Sequence, residues 1–400
     1  MSLPAWLHPG FTLTDPAGTA TAAELIDAAT RLADEVPLWC RAGLPATDAR
    51  AILQALLATE ARQADLFLIR DATTGARIDH RIEGDRVFEV ADDVPPGAGL
   101  VWLQTSGSTG RPKWVAHQPE TLRARIAAGQ PGARWLLSYG AGSFAGLQVM
   151  LSAAIGGHHL IAATAPTIGD LAGLAVRHAV THISGTPTFW RAFLMALGDT
   201  DLSLTTVTLG GEAADQGLLD ALRAKFPTAR LRHLYATTEL GTVFSVADDR
   251  AGFPAAWLHA APGNLRLTVT DHGTLGVARG DEAYFDTGDR VTVAGDRVLF
   301  RGRHDDMVNI GGVKIWPEEV EAHLLQLPFV RDALVGVRPS PITGSILVAD
   351  LVLRDAESEA ACAPLVKAHL ERLPRAARPA MIRYRTALPT GQTGKKLRMP

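Results

Sequence analysis

Apolar and polar positions divide the chain into regions of different character. Residues 21–33 and 47–62 are rich in Ala and Leu and predict two helices, with Thr47 or Asp48 placed to cap the second. Short strands are expected around the turn Gly84-Asp85. The break Pro95-Pro96-Gly97 then leads into Gly99-Leu100-Val101-Trp102-Leu103, an apolar run that reads as a buried strand. A helix is expected over 120–128. From 135 to 209, apolar runs at 135–137, 160–162 and 182–184 alternate with Ala/Leu-rich helical segments, the pattern of α/β layers with mainly parallel strands. Runs at 206–209 and 231–235, with a helix over 215–225 between them, continue it. After Pro262 the pattern turns to short β runs at 264–270, 274–278, 290–293 and 297–301, separated by Gly and Asp turns. A boundary falls near His304-Asp305-Asp306. Beyond it come a helix over 317–325, strands over 332–337 and 345–353, and a helix over 357–373 that contains Pro364.

Composition narrows the class. A chain of 400 residues, 47% hydrophobic and 20% charged, has room for two or three compact units. Its net charge of −3 gives no general affinity for nucleic acid or anionic membranes, so any phosphate chemistry must come from local clusters. Cys40 and Cys362 stand in no metal-ligand spacing and fit a reducing cytosol. The N-terminus lacks the basic start and long apolar core of a signal peptide, and no apolar run is long enough to span a bilayer. A cytoplasmic location is the expectation.

Candidate chemistry begins where the buried strand ends. Thr105-Ser106-Gly107-Ser108-Thr109-Gly110-Arg111-Pro112-Lys113 combines glycines that let backbone N–H groups approach an anion, four hydroxyl donors and a mobile charge on Lys113. It suits polyphosphate but lacks the spacing of a Walker A loop. A Ser/Gly surface turn has the same composition. In Tyr235-Ala236-Thr237-Thr238-Glu239, Thr238 is suited to bond a phosphate and Glu239 to hold Mg2+. Taken alone, the same residues read more readily as a strand end capping a helix. In Thr287-Gly288-Asp289 the carboxylate of Asp289 is able to accept two ribose hydroxyls, or serves only as a turn residue. Arg301 and Arg303 offer guanidinium donors or a solvated surface pair. Lys395 sits in the tail Thr390-Gly391-Gln392-Thr393-Gly394-Lys395-Lys396, which alone would read as a disordered basic end.

Taken in order, these segments resemble the adenylate-forming superfamily of acyl- and aryl-CoA synthetases, peptide-synthetase adenylation domains and luciferase. The 105–113 segment resembles the family's Thr-Ser-Gly-Ser/Thr-Thr-Gly-x-Pro-Lys signature. Tyr235 to Glu239 matches Tyr-Gly-x-Thr-Glu with Ala236 in place of glycine, and Thr287-Gly288-Asp289 matches Thr-Gly-Asp. Residues 302–321 match the hinge and the helix after it. Lys395 fits Pro-x-Thr-x-x-Gly-Lys, with Gly391 in place of the threonine. The wording from Gly302 to Gly312 is most similar to small aryl-acid ligases of the 4-chlorobenzoate and o-succinylbenzoate type. Two departures stand out: the portion before the phosphate loop is short for the family, and Ser143 stands where aromatic-acid ligases tend to carry His.

The resemblance implies an adenylation core over 1–304 and a small mobile α+β domain over 305–400. The core would be a large α/β domain of layered, mainly parallel sheets with a small β-barrel-like part. It implies two half-reactions. A carboxylate attacks the α-phosphate of ATP to give an acyl-adenylate and pyrophosphate, and a pantetheine thiol of coenzyme A then displaces AMP. Lys395 would bridge carboxylate and α-phosphate, Mg2+ on Glu239 would offset phosphate charge, and Lys113 with its neighbours would hold the β,γ end. Gly211 and Glu212 would face the adenine or acyl group, though a strand-to-helix turn is equally served by that acid. Asp305 would be the hinge, and Gly311 and Gly312 would line the pantetheine tunnel. An acyl pocket among Ser143, Phe144, Leu147, Thr186, Pro187, Ala236 and Thr237 is largely apolar and suits a small aryl or medium-length acid. A carrier-protein phosphopantetheine is the alternative acceptor. A non-catalytic nucleotide- or acyl-binding relic is disfavoured by the joint presence of Lys113, Glu239, Asp289 and Lys395.

Overall fold

The computed structural model describes residues 4, 6–70, 78–83, 86–89, 99–105, 113–124, 126, 131–237, 240–310, 312–340, 344–354, 357–389 and 396. An eight-stranded sheet runs in the order Gly241–Val246, Arg230–Thr237, Thr206–Gly210, His182–Gly185, Arg134–Leu136, His159–Ile161, Thr12–Asp15, Gly18–Thr21. Its interior pairings are parallel, and only the strands at the two edges pair antiparallel. A six-stranded sheet has the order Arg86–Glu89, His80–Glu83, Arg41–Pro45, Asp65–Ile69, Val101–Thr105, Lys113–His117. It too is parallel at its centre with an antiparallel pair at each edge.

Helices Ala22–Glu35, Ala49–Arg62 and Phe144–Gly156 share a core with both sheets: Leu25, Leu53 and Met150 pack in one cluster with Leu13 and Leu160 of the first and Leu44 and Leu66 of the second. Local sequence starts these helices. Thr21 and Glu24 form a reciprocal capping box, and Asp48, rather than Thr47, accepts from Ala51 N–H. Helices Ile168–Arg177, Pro187–Leu197 and Gln216–Lys225 contribute to a second core, around Trp190 and Phe193 with Leu136 and Ile183. Burying each such side chain stabilises the fold by about 1.5–3 kcal/mol before entropy is counted. Helix Phe144–Gly156 thus packs on one face of the eight-stranded sheet and the three later helices on the other. Right-handed crossovers require this when chain order reverses within a parallel sheet.

The expected barrel-like part is a five-stranded antiparallel sheet, ordered Phe253–Pro254, Arg297–Arg303, Phe285–Ala294, Thr274–Arg279, Leu265–Val269, on a core of Phe253, Leu267, Val277 and Val298. The smaller C-terminal α+β domain has its own core, with Val320, Leu324, Val335, Leu351 and Val366 between helices Pro317–Leu324 and Glu359–Leu370 and the sheet Val330–Ser340, Gly344–Leu353, Met381–Tyr384.

Two local expectations are corrected. The helix expected over 120–128 is Pro119–Arg123. Proline is tolerated in a first turn, and the helix ends at Arg123, whose guanidinium is fixed on Glu60 at 2.8 and 3.0 Å. Thr287-Gly288-Asp289 is not a turn between strands but lies inside strand Phe285–Ala294, where the register shifts between Asp289 and Val291. Gly288 takes φ 69° there, and a Cβ on it would stand 3.2 Å from Arg303 Nη2. Among the described residues no helix is long and apolar enough to cross a membrane.

Candidate active site

Chain order reverses between the adjacent strands Arg134–Leu136 and His182–Gly185. The first leads through helix Phe144–Gly156 to one side, and the second through helix Pro187–Leu197 to the other. At such a reversal a crevice opens beyond the carboxyl ends of the strands, where open parallel sheets bind ligands. The segments leaving those ends are Tyr139 to Phe144, Thr186 to Thr188 and Gly210 to Glu212, with Tyr235 to Thr237 closing the next strand. Pairing sets Gly185 opposite Leu209 and Gly210 opposite Leu234, so the ends are level.

Glu212 is held firmly. Its Oε2 accepts from Thr188 N–H at 3.0 Å and Thr188 Oγ1 at 2.7 Å. Thr188 lies in the first turn of helix Pro187–Leu197, where backbone donors favour an anion. Its Oε1 accepts from the backbone N–H of Lys396 at 3.2 Å, which brings Lys396 to the crevice. Tyr139 is buried beside it; burial pushes the phenol pKa above its ordinary value and the charge of Glu212 adds to this, against a hydrogen bond with Ser184.

The residues expected to form an acyl pocket do several jobs. Ser143 caps helix Phe144–Gly156 by accepting from Gly146 N–H at 3.0 Å, and Thr186 caps Pro187–Leu197 by accepting from Phe189 N–H at 3.0 Å. Leu147 is fully buried in the core between the sheets. Thr237 Oγ1 accepts from Leu240 N–H at 3.0 Å. Phe144 is partly buried, its ring 5.6 Å from that of His117, whose pKa burial lowers. His117 thus supplies an imidazole beside Phe144, from strand Lys113–His117, which the sequence segment around Ser143 does not contain.

The ribose candidates converge. Tyr235 donates from Oη to Asp289 Oδ2 at 2.5 Å, and Arg303 Nη1 donates to Asp289 Oδ1 at 3.2 Å. The Tyr235 ring lies against Phe300 and Phe244, with centroids at 4.8 and 5.2 Å. Burial, then the Asp289 charge, raises the phenol pKa, so the hydroxyl remains a donor. Asp305 lies in the exposed short turn His304–Asp306 after strand Arg297–Arg303, and Gly312, at φ 87°, donates its N–H to Asn309 Oδ1 at 2.9 Å.

Across the turn His304–Asp306 the larger and smaller domains touch closely. Arg290 places its guanidinium 3.6 Å from the ring centre of Trp316 and donates to Glu319 Oε1 at 2.8 Å. A Cβ at Gly302, which has φ 92°, would come within 2.7 Å of Glu318 Cγ. The expected roles of Ser106, Gly107, Ser108, Thr109, Gly110, Thr238, Glu239, Gly311 and Lys395 fall outside the described residues. The backbones of Thr105 and Lys113 pair at the ends of two antiparallel strands. Lys113 therefore opens a strand, whereas a Walker A lysine opens a helix. Sequence reasoning did not single out Thr188, Tyr139, Asp332, Lys396, Arg290 or Trp316. Thr186-Pro187 before an apolar helix marks a helix start, but nothing local marks Thr188 as the partner of Glu212.

Known proteins share this fold. The AMP-binding enzyme family matches residues 40–281, and the AMP-binding enzyme C-terminal domain matches residues 319–395. The 2-succinylbenzoate–CoA ligase of Bacillus velezensis is 26% identical over 347 residues, covering 76% of this chain and 71% of that protein. The p-hydroxybenzoic acid–AMP ligase FadD22 of Mycobacterium tuberculosis is 29% identical over 278 residues, 59% of this chain and 39% of the relative. The probable non-canonical peptide synthetase CymA of Salinispora arenicola is 28% identical over 342 residues, yet the match spans only 4% of its length. In structure the chain is similar to ATP-bound MatB from Rhodopseudomonas palustris, with TM-score 0.72, 19% identity and coverage of 96% and 94% of the two chains. It is likewise similar to o-succinylbenzoate CoA synthetase of Bacillus subtilis with its acyl-adenylate, with TM-score 0.68, 20% identity and coverage of 97% and 94%. Family match, fold and the crevice at the sheet's reversal point agree: the chain belongs to the AMP-binding enzyme family.

Proposed function

We propose that the chain uses ATP to activate a small carboxylic acid as an acyl-adenylate and passes the acyl group to the pantetheine thiol of coenzyme A. The observation that carries this reading is the bond from Lys396 N–H to Glu212. It docks the residue next to Lys395 at the crevice where Gly211 and Glu212 follow strand Thr206–Gly210, beside Tyr235 and Ala236 near the end of strand Arg230–Thr237. The relatives named for acid–CoA and acid–AMP ligation support the reaction class. We place the boundary between core and smaller domain at 304/305, beside Asp305 as hinge.

In the first half-reaction a carboxylate oxygen bonds to the α-phosphorus of ATP while the bond to the pyrophosphate oxygen breaks, and pyrophosphate leaves with the electron pair. The acid is already ionised at pH 7, so no base is required. Two anions must meet, so positioning and charge neutralisation carry the catalysis. We assign Lys395 to the meeting point of carboxylate and α-phosphate, Lys113 with the 105–110 segment and Thr238 to the phosphates, and Asp289 with Arg303 to the ribose. Mg2+ is held beside nucleotides by one or two carboxylates plus the phosphates themselves, and Glu239 is a carboxylate suited to that donor set. The ion would supply charge neutralisation on the phosphates. In the second half-reaction the thiol sulfur bonds to the acyl carbon, AMP leaves with the electron pair, and the thiol proton goes to solvent; Gly311 and Gly312 are assigned to the path of the thiol arm.

Phe144 and His117 favour a small aryl acid over an amino acid, since an aromatic ring and an imidazole lie together at the start of helix Phe144–Gly156. Acid-dependent exchange of labelled pyrophosphate into ATP, run over a panel of aryl and short acyl acids, tests the reading. Coenzyme A and phosphopantetheinylated carrier proteins are then compared as acceptors. Transfer to a carrier protein alone would replace coenzyme A in the proposal.

A further inference from the structure

One residue ties the C-terminal tail to both domains. Lys396 Nζ donates to Asp332 Oδ1 at 2.6 Å and to Ala333 O at 2.7 Å, both on strand Val330–Ser340 of the smaller domain. The backbone N–H of the same residue donates to Glu212 Oε1 of the larger domain. The side chains of Lys396 and Asp332 are only 14% and 10% exposed, so this pair is held in one geometry, unlike a surface ion pair that water loosens. A bulge aims Asp332: pairing with strand Gly344–Leu353 shifts register between Val330 and Asp332, and such a shift re-aims a side chain. Glu212 is fixed independently by Thr188.

We propose that Lys396 and Asp332 are positioning residues for adenylation, forming with Glu212 a clamp that sets the tail in register so that Lys395 is presented to the crevice. This rests on the reading of Lys395 as the adenylating lysine. The two halves of the clamp differ. The ion pair with Asp332 is internal to the smaller domain and would travel with it in any turn about the proposed hinge at Asp305. The bond to Glu212 crosses between domains and would break in such a turn between the half-reactions. The clamp therefore acts on the first half-reaction and not on the second.

The test measures both half-reactions in Lys396→Met, Asp332→Asn and Lys396→Arg. The first two should lower kcat of adenylation by about a hundredfold, the scale of a 1 Å misplacement, with the KM for ATP unchanged. Thioester formation from supplied acyl-adenylate should stay within about twofold of wild type. Lys396→Arg, which keeps charge and donors, should recover adenylation to within about tenfold. Equal loss in both half-reactions, or unimpaired adenylation in Lys396→Met, overturns the proposal. Hydrogen exchange of the Lys396 amide reads the clamp without catalysis: it should quicken by about tenfold or more in Asp332→Asn. Unchanged exchange overturns the clamp. A wild-type protein inactive in pyrophosphate exchange would instead overturn the adenylation reading, leaving amide exchange to decide the clamp.

Discussion

Tyr235→Phe removes one oxygen and nothing else from the proposed ribose corner. The wild-type hydroxyl donates to Asp289 Oδ2 at 2.5 Å, while Arg303 holds the other carboxylate oxygen at 3.2 Å. The ring contacts with Phe244 and Phe300 need no hydroxyl and survive the change. A hydrogen bond to a charged group is worth about 1.5–3 kcal/mol, so the variant should lose about 2 kcal/mol of unfolding free energy. Urea unfolding reads this as a lower midpoint with an unchanged slope. Asp289 then keeps Arg303 but loses the donor that orients it from the Tyr235 side. If Asp289 grips ribose, binding of ATP and of the transition state should weaken together. The expected result is a rise of roughly tenfold in the KM for ATP with kcat nearly unchanged, equivalent to about 1.4 kcal/mol. An unchanged KM alongside the stability loss would show that the Tyr235–Asp289 bond is scaffold only and refute its part in holding the nucleotide.

Arg290→Ala removes the guanidinium from Trp316 and Glu319, a loss of about 0.5–2 kcal/mol from the ring contact and about 0.2–1 kcal/mol from the partly exposed ion pair. Adenylation should slow roughly fivefold or more as the smaller domain leaves this orientation, and pyrophosphate exchange at the wild-type rate would contradict a role for the clasp. Acid should destabilise the fold through His182, which burial, then His158 and Arg232, push down from 6.5 to about 4. Between those values the unfolded chain binds the proton and the folded protein does not, so stability falls as pH drops through that window and levels off below it. Discounted for the partial exposure of His182, the loss is about 1–2 kcal/mol, and a urea midpoint that stays constant from pH 7 to 4 would contradict the sign.

Periodicity made the parallel core legible, because alternating apolar runs and Ala/Leu segments between 135 and 235 leave few other arrangements. The two helices before residue 63 were legible from their caps and composition. Strand Thr12–Asp15 with its partner Gly18–Thr21 was not, since four-residue edge strands carry little pattern. The proposed ribose corner was legible as motifs only in that Tyr235, Asp289 and Arg303 were each singled out and lie in one bonded group. The pocket residues were less so. A hydroxyl at a crevice and a hydroxyl capping a helix look alike in sequence, and Ser143 and Thr186 are caps. Long-range partners were invisible for a physical reason. Lys396 and Asp332 meet only because a bulge turns Asp332 inward, and Glu212 meets Thr188 only once neighbouring parallel strands align their ends.

Acid-dependent exchange of pyrophosphate into ATP tests the adenylating activity most directly, with wild type and Lys395→Ala run side by side. Wild type should exchange with at least one small aryl or acyl acid in the panel. Lys395→Ala should lose that exchange while still converting a supplied acyl-adenylate and coenzyme A to the thioester. No exchange with any acid, or equal loss of both half-reactions in the variant, would contradict an adenylating enzyme that works through its C-terminal lysine.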